Sequence, residues 1–578
     1  MNTKQLVNLI NSLNINIKAE EIAKLLYFLK AWKKLSMDRE NNILEFDNFY
    51  TQTIKVKEFK SIIDELSKTQ KLFELFTSLN INIDKIKDED LMNIFYIVND
   101  IDILPNVFDT FYSSFNSYMD FSVANQIADF GIRLLDGDCT EIYAPFSNGY
   151  NIAYYTDKKI VAESFADEFI IELMKIIDNI DIEFTFDNPL DNPQYLNENQ
   201  LKQFDCTLSF PPMGVSTNNE FLNTDNFNRF KFHKVKSSRD IAHFEHILAQ
   251  TKNKAVVLMP VGFTYRGSQD EEFRKYLIDN NWLEAVIQLP PNLHNATSIE
   301  TTFIIINKQK KDNTIYFLNV KHDSFLKREG RKLVLKDIDN IISFYKSKKE
   351  EENISRVVNP DEVAINNYSL AIDRYIISKE IKQLQKKLAE FDLVKLEDIA
   401  DIRRSQLFKD EGNGNKIYEI SPSNFNSAGF TLESGKVKKI GSQYNRLETY
   451  KLESYDILLS TKGTIGKVAI VGEISDTMVA SQAIQVIKLK DSNKKENAIF
   501  LYMFLKSTVG QTMLSMLVSG VAMPQISTAE IKQLKIPIVS ENKKQQLLLN
   551  FNNEIKMYNE INTINTNIKQ IHNDFLGK

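Results

Sequence analysis

The chain has 578 residues, of which 43% are hydrophobic, 11% aromatic and 26% charged, and its formal net charge is -6. That length allows about three or four domains at ~150 residues each, and the balance is that expected of a soluble globular protein rather than a disordered or membrane one. An acidic total argues against indiscriminate binding to polyanions, so any contact with nucleic acid has to be regional.

No apolar run is long enough to span a bilayer, and the opening MNTKQLVNLINSLNINIKAEE has neither the apolar core nor the small-residue cleavage site of a signal peptide. A cytoplasmic location and no membrane partner are expected. Cys139 and Cys206 fall on or beside expected strands and read as packing residues rather than a disulfide or a metal site. Six scattered histidines, without HExxH or CxxC spacing, predict no metal.

In residues 1–115 the segments LVNLINSL, EEIAKLLYFLKAWKKLS, FKSIIDELSKTQKLFELFTSLN and LMNIFYIVNDI repeat apolar residues at three and four, which predicts a helical N-terminal domain. On pattern alone it serves equally as a generic scaffold. From Phe121 short apolar strands alternate with helices, the pattern of a parallel sheet with crossover helices, so a Rossmann-like domain is expected over 116–376. Phe204 to Gly214, FDCTLSFPPMG, reads as a buried strand that two prolines end in a rigid turn. In an open α/β sheet that strand end is where ligands sit. Lys159–Glu163 and the segment ending in Asp187 place a carboxylate at two further strand ends, where a solvated acid is the plainer alternative. Arg239–Gln250 predicts an amphipathic helix and AVVLMPVG a buried strand.

These stretches resemble the amino-group DNA methyltransferases, and their surroundings resemble the type I modification (M) subunits. FDCTLSFPPMG is similar to the family's catalytic Asn/Asp/Ser-Pro-Pro-aromatic motif: Pro211 and Pro212 match, Phe210 stands at the polar position and Met213 at the aromatic one. The resemblance implies adenine N6 methylation from S-adenosylmethionine, with the polar side chain and a proline carbonyl accepting from the amino group of a flipped adenine; Phe210 lacks that acceptor. FSVANQIADFGIRLL is similar to the family's entry helix, with Ser122 and Val123 near the methyl donor. TEIYAPFSNGYNIAYY occupies the place of Asp-Pro-x-x-Gly-x-Gly-Gly, so Ala144 replaces the acid, Pro145 matches, Asn148 replaces the first glycine and Gly149 is one step out of register. Glu163 and Asp187 keep the acids that the resemblance assigns to the cofactor's ribose and adenine. Glu271–Lys308 and Val358–Ile376 match the family over long spans and specify its fold.

Residues 377–393 read as a charged linker helix, 394–540 as an α+β recognition domain and 541–578 as a C-terminal helix with heptad-like apolar spacing. VKLEDIADIRRSQLF, YKLESYDILLSTKGTIGKVAIVGE and VAMPQISTAEIKQLKIPIV resemble the target-recognition domain of type I specificity (S) subunits, and the last helix resembles their spacer helix, which docks as a coiled coil. FLYMFLKSTVGQTMLSMLVSG reads as one helix. Arg403, Arg404, Lys436, Lys438, Lys439, Arg446, Lys462 and Lys467 are the candidates for phosphate or base contacts, although basic loop residues are also commonly just solvated. The chain carries one recognition domain where the usual specificity subunit has two, which implies a homodimer on double-stranded DNA, each copy taking a half-site. Without a nucleotide-binding P-loop or a nuclease cluster, restriction requires a partner, a restriction or second modification subunit.

Two readings follow. One is a methyltransferase-derived, sequence-specific DNA-binding protein with impaired catalysis, favoured because losing an acceptor at a reacting centre costs orders of magnitude in rate. The other is an active S-adenosylmethionine-dependent adenine-N6 methyltransferase with built-in target recognition.

Overall fold

The computed structural model describes residues 17–37, 45–46, 55–100, 125–135, 139–147, 149–164, 168–214, 224–234, 239–291, 293, 300–329, 332–377, 379–425, 435–474, 476–490, 494–517 and 525–574. The expected helix LVNLINSL, Ser122, Val123 and Asn148 lie outside them. The chain divides into two compact units, Met1–Ile376 and Ile377–Lys578.

The first unit opens with helices α1 (Ala19–Ser36), α2 (Val56–Leu66), α3 (Lys71–Ser78) and α4 (Asp88–Asp100). Phe28 and Trp32, four residues apart on α1, share a face and meet Phe76 at 4.4 Å and Phe73 at 5.1 Å between ring centroids. Helix α1 also packs along α7 (Glu168–Asp178), so the helical segment and the sheet that follows share one hydrophobic core.

That sheet has nine strands: β1 (Glu141–Pro145), β2 (Lys159–Ser164), β3 (Ile182–Phe186), β4 (Phe204–Ser209), β5 (Thr251–Pro260), β6 (Leu283–Gln288), β7 (Thr301–Asn307), β8 (Ile315–Asn319) and β9 (Ser355–Val358). Their spatial order is β9-β8-β6-β7-β5-β4-β1-β2-β3. All pairs are parallel except those made by β7 with β5 and β6 and by β9 with β8. The central strands are covered on both faces, which is why AVVLM in β5 and FIII in β7 are continuous apolar runs without alternation. Among the crossover elements are α5 (Asn125–Leu135), which leads into β1, the short α6 (Tyr150–Ala153), α8 (Arg239–Gln250) and α9 (Gln269–Asp279).

Cys139 and Cys206 are joined in a disulfide, which corrects the expectation of plain packing residues. The sheet order supplies the reason: β1 and β4 are paired neighbours with Ile142 opposite Cys206, and the two Cα atoms stand 5.9 Å apart, within bridging range.

In the second unit, α11 (Lys379–Leu388, numbered after α10 at Ile338–Ser347 of the first unit) leads into β10 (Leu393–Lys395), which pairs with β18 (Lys535–Pro537). A four-stranded antiparallel sheet runs β11 (Ala400–Arg404), β17 (Ile484–Leu489), β14 (Ile457–Ser460), β15 (Val468–Ile470). A three-stranded sheet runs β13 (Lys436–Ile440), β12 (Asn415–Ile420), β16 (Met478–Ala480), with α12 (Tyr444–Tyr450) following β13. The stretch expected as one helix breaks into α13 (Lys494–Lys506) and α14 (Thr508–Met516). Ser507 caps the second, accepting from Gly510 N at 3.1 Å, and a Cβ on Gly510 would collide with the Phe504 carbonyl oxygen. The unit ends in α15 (Thr528–Lys532), β18 and the long α16 (Glu541–Asp574). Helix α16 buries Leu548, Phe551 and Ile555 against the core that contains α13, and is solvent-exposed from Asn559 through His572.

Candidate functional site: a strand-end crevice and a basic recognition surface

At the end of β4, Ser209 is fully buried and donates its hydroxyl to the Pro145 carbonyl at 2.9 Å, tying the C-terminal ends of β4 and β1 together. Phe210 is 3% exposed. Its ring lies 6.4 Å from Phe303 of β7, and its tip would meet a Cβ on Gly131 of α5 at 3.4 Å. Pro211 is buried, Pro212 and Met213 are half-buried, and Met213 packs against the same core. The ring at the polar position of the motif is thus a core residue.

On β1, Ala144 is fully buried and contributes only to the core. Phe146, with φ +63°, lays its ring 4.6 Å from His243 and 5.5 Å from His246. Gly149 has φ +73°, and a Cβ there would stand 2.7 Å from Ile160 Cγ2 and 3.0 Å from Ala162 Cβ. The glycine therefore lets α6 close onto β2. Tyr150 and Asn151, next in line, are buried.

Glu163 is fully buried. Its Oε1 accepts from Gln194 N at 2.6 Å, and its Oε2 lies 2.9 Å from the Tyr143 hydroxyl. The same hydroxyl is 2.9 Å from His246 Nε2 and from Gln250 Oε1. His246 Nδ1 in turn is 2.8 Å from Arg229, which also donates to the carbonyls of Pro189 and Leu190 and pairs with Asp225. Asp187 Oδ2 accepts from Asn192 at 2.7 Å and from the Gln194 side chain at 3.0 Å, while Oδ1 accepts from Asn188 N. Gln194 therefore engages both acids at once. Sequence reasoning missed Tyr143, Gln194, Arg229 and His246. For Arg229 and His246 the available signal was the aromatic and basic density of NRFKF and HFEH, and Tyr143 and Gln194 belong to no pattern.

Burial raises the Glu163 carboxyl to about 7, against the lowering effect of the Gln194 N–H and the Tyr143 hydroxyl. Burial pushes His243 down to about 3 and His246 well below its ordinary value. For Glu163 the folded pKa lies above the unfolded one, near 4.5, so its contribution to stability is complete below pH 4.5 and is lost as pH rises to 7. The two histidines act in the opposite sense, costing stability as pH falls below about 6.5. Glu163→Gln removes the first effect only. Thermal midpoints measured from pH 5 to 8 are expected to show the variant gaining on the wild type as pH rises, by roughly 1–3 kcal/mol in total; a pH-independent difference would mean that Glu163 is ionised in the fold throughout.

In the second unit Arg404, Lys436, Lys439, Arg446, Lys462 and Lys467 are exposed. Arg403 is half-buried, 5.9 Å from the Tyr450 ring centroid. Lys438 differs: it is 6% exposed, donates to Glu419 and to the Phe408 carbonyl at 2.6 Å each, and is withdrawn from the outward-facing set. Its strand explains this, because 438 alternates in phase with the buried Ile440. Lys462 and Lys467 flank a turn in which Gly463 and Gly466 take φ +71° and +83°, values that favour glycine. Among the described residues no helix is long and apolar enough to cross a membrane, and no group of three or more His, Cys, Asp or Glu is placed to hold a metal.

The first unit has the mixed sheet of the methyltransferase fold, with the acids and the Pro-Pro turn at its strand ends, and the second carries a separate surface rich in cations. Residues 170–384 match the N-6 DNA Methylase family and residues 389–571 the Type I restriction modification DNA specificity domain, so the chain joins these two domains in series. Over 197 residues it is 32% identical to the type I restriction enzyme MpnII methylase subunit of Mycoplasma pneumoniae, covering 33% of this chain and 36% of the relative. Over 234 residues it is 27% identical to the MjaVII methylase subunit of Methanocaldococcus jannaschii, covering 37% and 40%. The matched stretches thus span about two fifths or less of these relatives. The solved type I methyltransferase subunit from Streptococcus thermophilus superposes with a TM-score of 0.56 at 17% identity, covering 65% of this chain and 99% of that one, a likeness of fold. The N-6 DNA methylase family implies S-adenosylmethionine as its cofactor.

Proposed function

We propose that this chain is a sequence-specific DNA-binding protein of a type I restriction-modification-like system, derived from a methyltransferase and impaired in catalysis. The observation that carries the reading is how little accessible acceptor surface the strand ends keep. Glu163 is fully buried with both oxygens engaged, Asp187 is bonded to Asn192 and Gln194, Ala144 offers no acceptor, and Gly149 is pressed onto β2. Glu163 and Ala144 therefore present no accessible acceptor to the polar groups of S-adenosylmethionine, whose hydroxyls and amine need partners, and half-buried Asp187 keeps only part of its acceptor capacity. Phe210 gives its ring to the core and provides no acceptor for an adenine amino group.

The recognition unit, by contrast, keeps an outward-facing set of cations suited to phosphate. Double-stranded DNA is the partner this supports, with a second copy of the chain supplying the other half-site and a restriction or second modification subunit completing the system. The test is titration calorimetry of S-adenosylmethionine into the full chain, alone and with a duplex selected by the protein from a randomised pool. Absent or millimolar binding in both arms is expected. Micromolar binding in either arm would overturn the impairment and favour an active adenine-N6 methyltransferase, since the carboxylates would then have released their internal partners.

A further inference from the structure

We propose that the antiparallel ribbon β12–β13 is the element that reads DNA, entering the major groove with Lys416, Tyr418, Val437 and Lys439 on its leading face. This rests on the DNA-binding reading above and adds the surface and its residues.

The register places Lys416 directly opposite Lys439 and Tyr418 directly opposite Val437, so all four share one face of the ribbon. The other face is covered: Ile417 and Ile440 pack with Phe408, Leu447 and Val479. At the far end of the leading face Ile420 and Ala480 join the core shared with the four-stranded sheet. Beyond that core Lys416, Val437 and Lys439 are exposed, Val437 to 46%, and Tyr418 is half-buried beneath the Lys416 ammonium, 4.7 Å from the ring centroid.

Two like charges directly opposite each other weaken a sheet. Among the described residues neither lysine forms a salt bridge. The Tyr418 hydroxyl, and after it the charge of Asp476, favour the charged form of Lys416 and raise its pKa, without an ion pair. The nearby acids are turned to other work: Asp410 accepts from the backbone of Lys439 and Gly412, Glu411 from Gly441 and Ser442, and Glu419 holds the buried Lys438. Over residues 403–450 there are eight Lys and Arg against five Asp and Glu, in a chain that is acidic overall. A cation pair without a salt-bridge partner among the described residues, flanking an apolar and an aromatic side chain, fits a polyanion that also presents apolar and polar edges. The B-DNA major groove admits a two-stranded ribbon, with phosphates for the lysines and base edges, including the thymine methyl, for Val437 and Tyr418.

The experiment selects duplexes from a randomised pool with the full-length protein, then measures affinity against salt for the wild type, for the double variant Lys416→Ala/Lys439→Ala, and for Val437→Asn. All three substitutions are at exposed positions. The lysine variant is expected to bind every duplex about ten-fold more weakly near physiological salt, with a salt slope smaller by about two. Its thermal midpoint should be unchanged or raised, because the opposed charges are gone. Val437→Asn is expected to select a different base at one or two positions. If the wild type selects a motif and both variants keep its affinity, slope and motif, the ribbon does not read DNA. A wild type that selects no duplex at all would instead sink the DNA-binding reading, and the ribbon inference with it.

Discussion

Phe210→Asn, the change that restores the methyltransferase motif on paper, is expected to destabilise the protein by about 3–5 kcal/mol and to yield no adenine methylation. The ring is buried between Phe303 of β7 and Gly131 of α5. Asparagine there leaves a cavity and an amide with no partner in an apolar core, and each is costly. Phe210→Leu, which keeps an apolar group of nearly the same size, is expected to cost under about 1.5 kcal/mol. Urea unfolding of the three proteins measures both numbers, and methyl transfer from labelled S-adenosylmethionine to a selected duplex measures the activity. An Asn variant as stable as the wild type and able to methylate would show that a single side chain separates this protein from an active enzyme. The proposed reading expects a deeper change, because Glu163 is buried and bonded internally and Gly149 packs on β2, both independently of Phe210.

How much of this was legible in the sequence depends on whether the signal was local. The strand before Pro211 and Pro212, the carboxylates at the ends of β2 and β3, and the apolar run AVVLMP of β5 were readable because pattern and turn chemistry act over a few residues. Phe210 and Ala144 were recognisable as departures from a motif, but their burial was not. What occupies Glu163 was invisible, since Tyr143 and Gln194 lie 20 and 31 residues away and neither belongs to a pattern. The disulfide needed the spatial order of β1 and β4, which sequence adjacency does not reveal. Lys438 was a different kind of miss: the alternation in KVKKI already puts 438 in phase with Ile440, and a count of basic residues overlooked it. The break at Ser507 was hidden by apolar periodicity that continues across it, so only the Ser and Gly chemistry of STVG marked the cap.

The largest effect on assembly is expected from Ile561→Lys/Ile568→Lys in α16. Met557, Ile561, Ile564, Ile568 and Ile571 are each 45% or more exposed, and they repeat at four, three, four and three residues, a heptad seam on the part of the helix that lies beyond its own core. An isolated helical segment of that length is marginal in water, so its order calls for a partner. Of the positions that flank the seam, Tyr558, Glu560, Asn565, Asn567 and His572, only Glu560 carries a formal charge, so they do little to repel a second copy or to favour a differently charged one. Two copies burying five such side chains each would gain on the order of 10 kcal/mol or more of gross hydrophobic stabilisation, enough to remain favourable after the rotational and translational cost of association. Light scattering of the wild type at micromolar concentration should give the mass of two chains with and without DNA, and the double lysine variant the mass of one, a loss of at least a hundred-fold in association from charges buried in an apolar seam. A monomeric wild type under both conditions would remove the dimer, and with it the account of how one recognition domain reads a two-part site. A dimeric variant would place the contact somewhere other than α16.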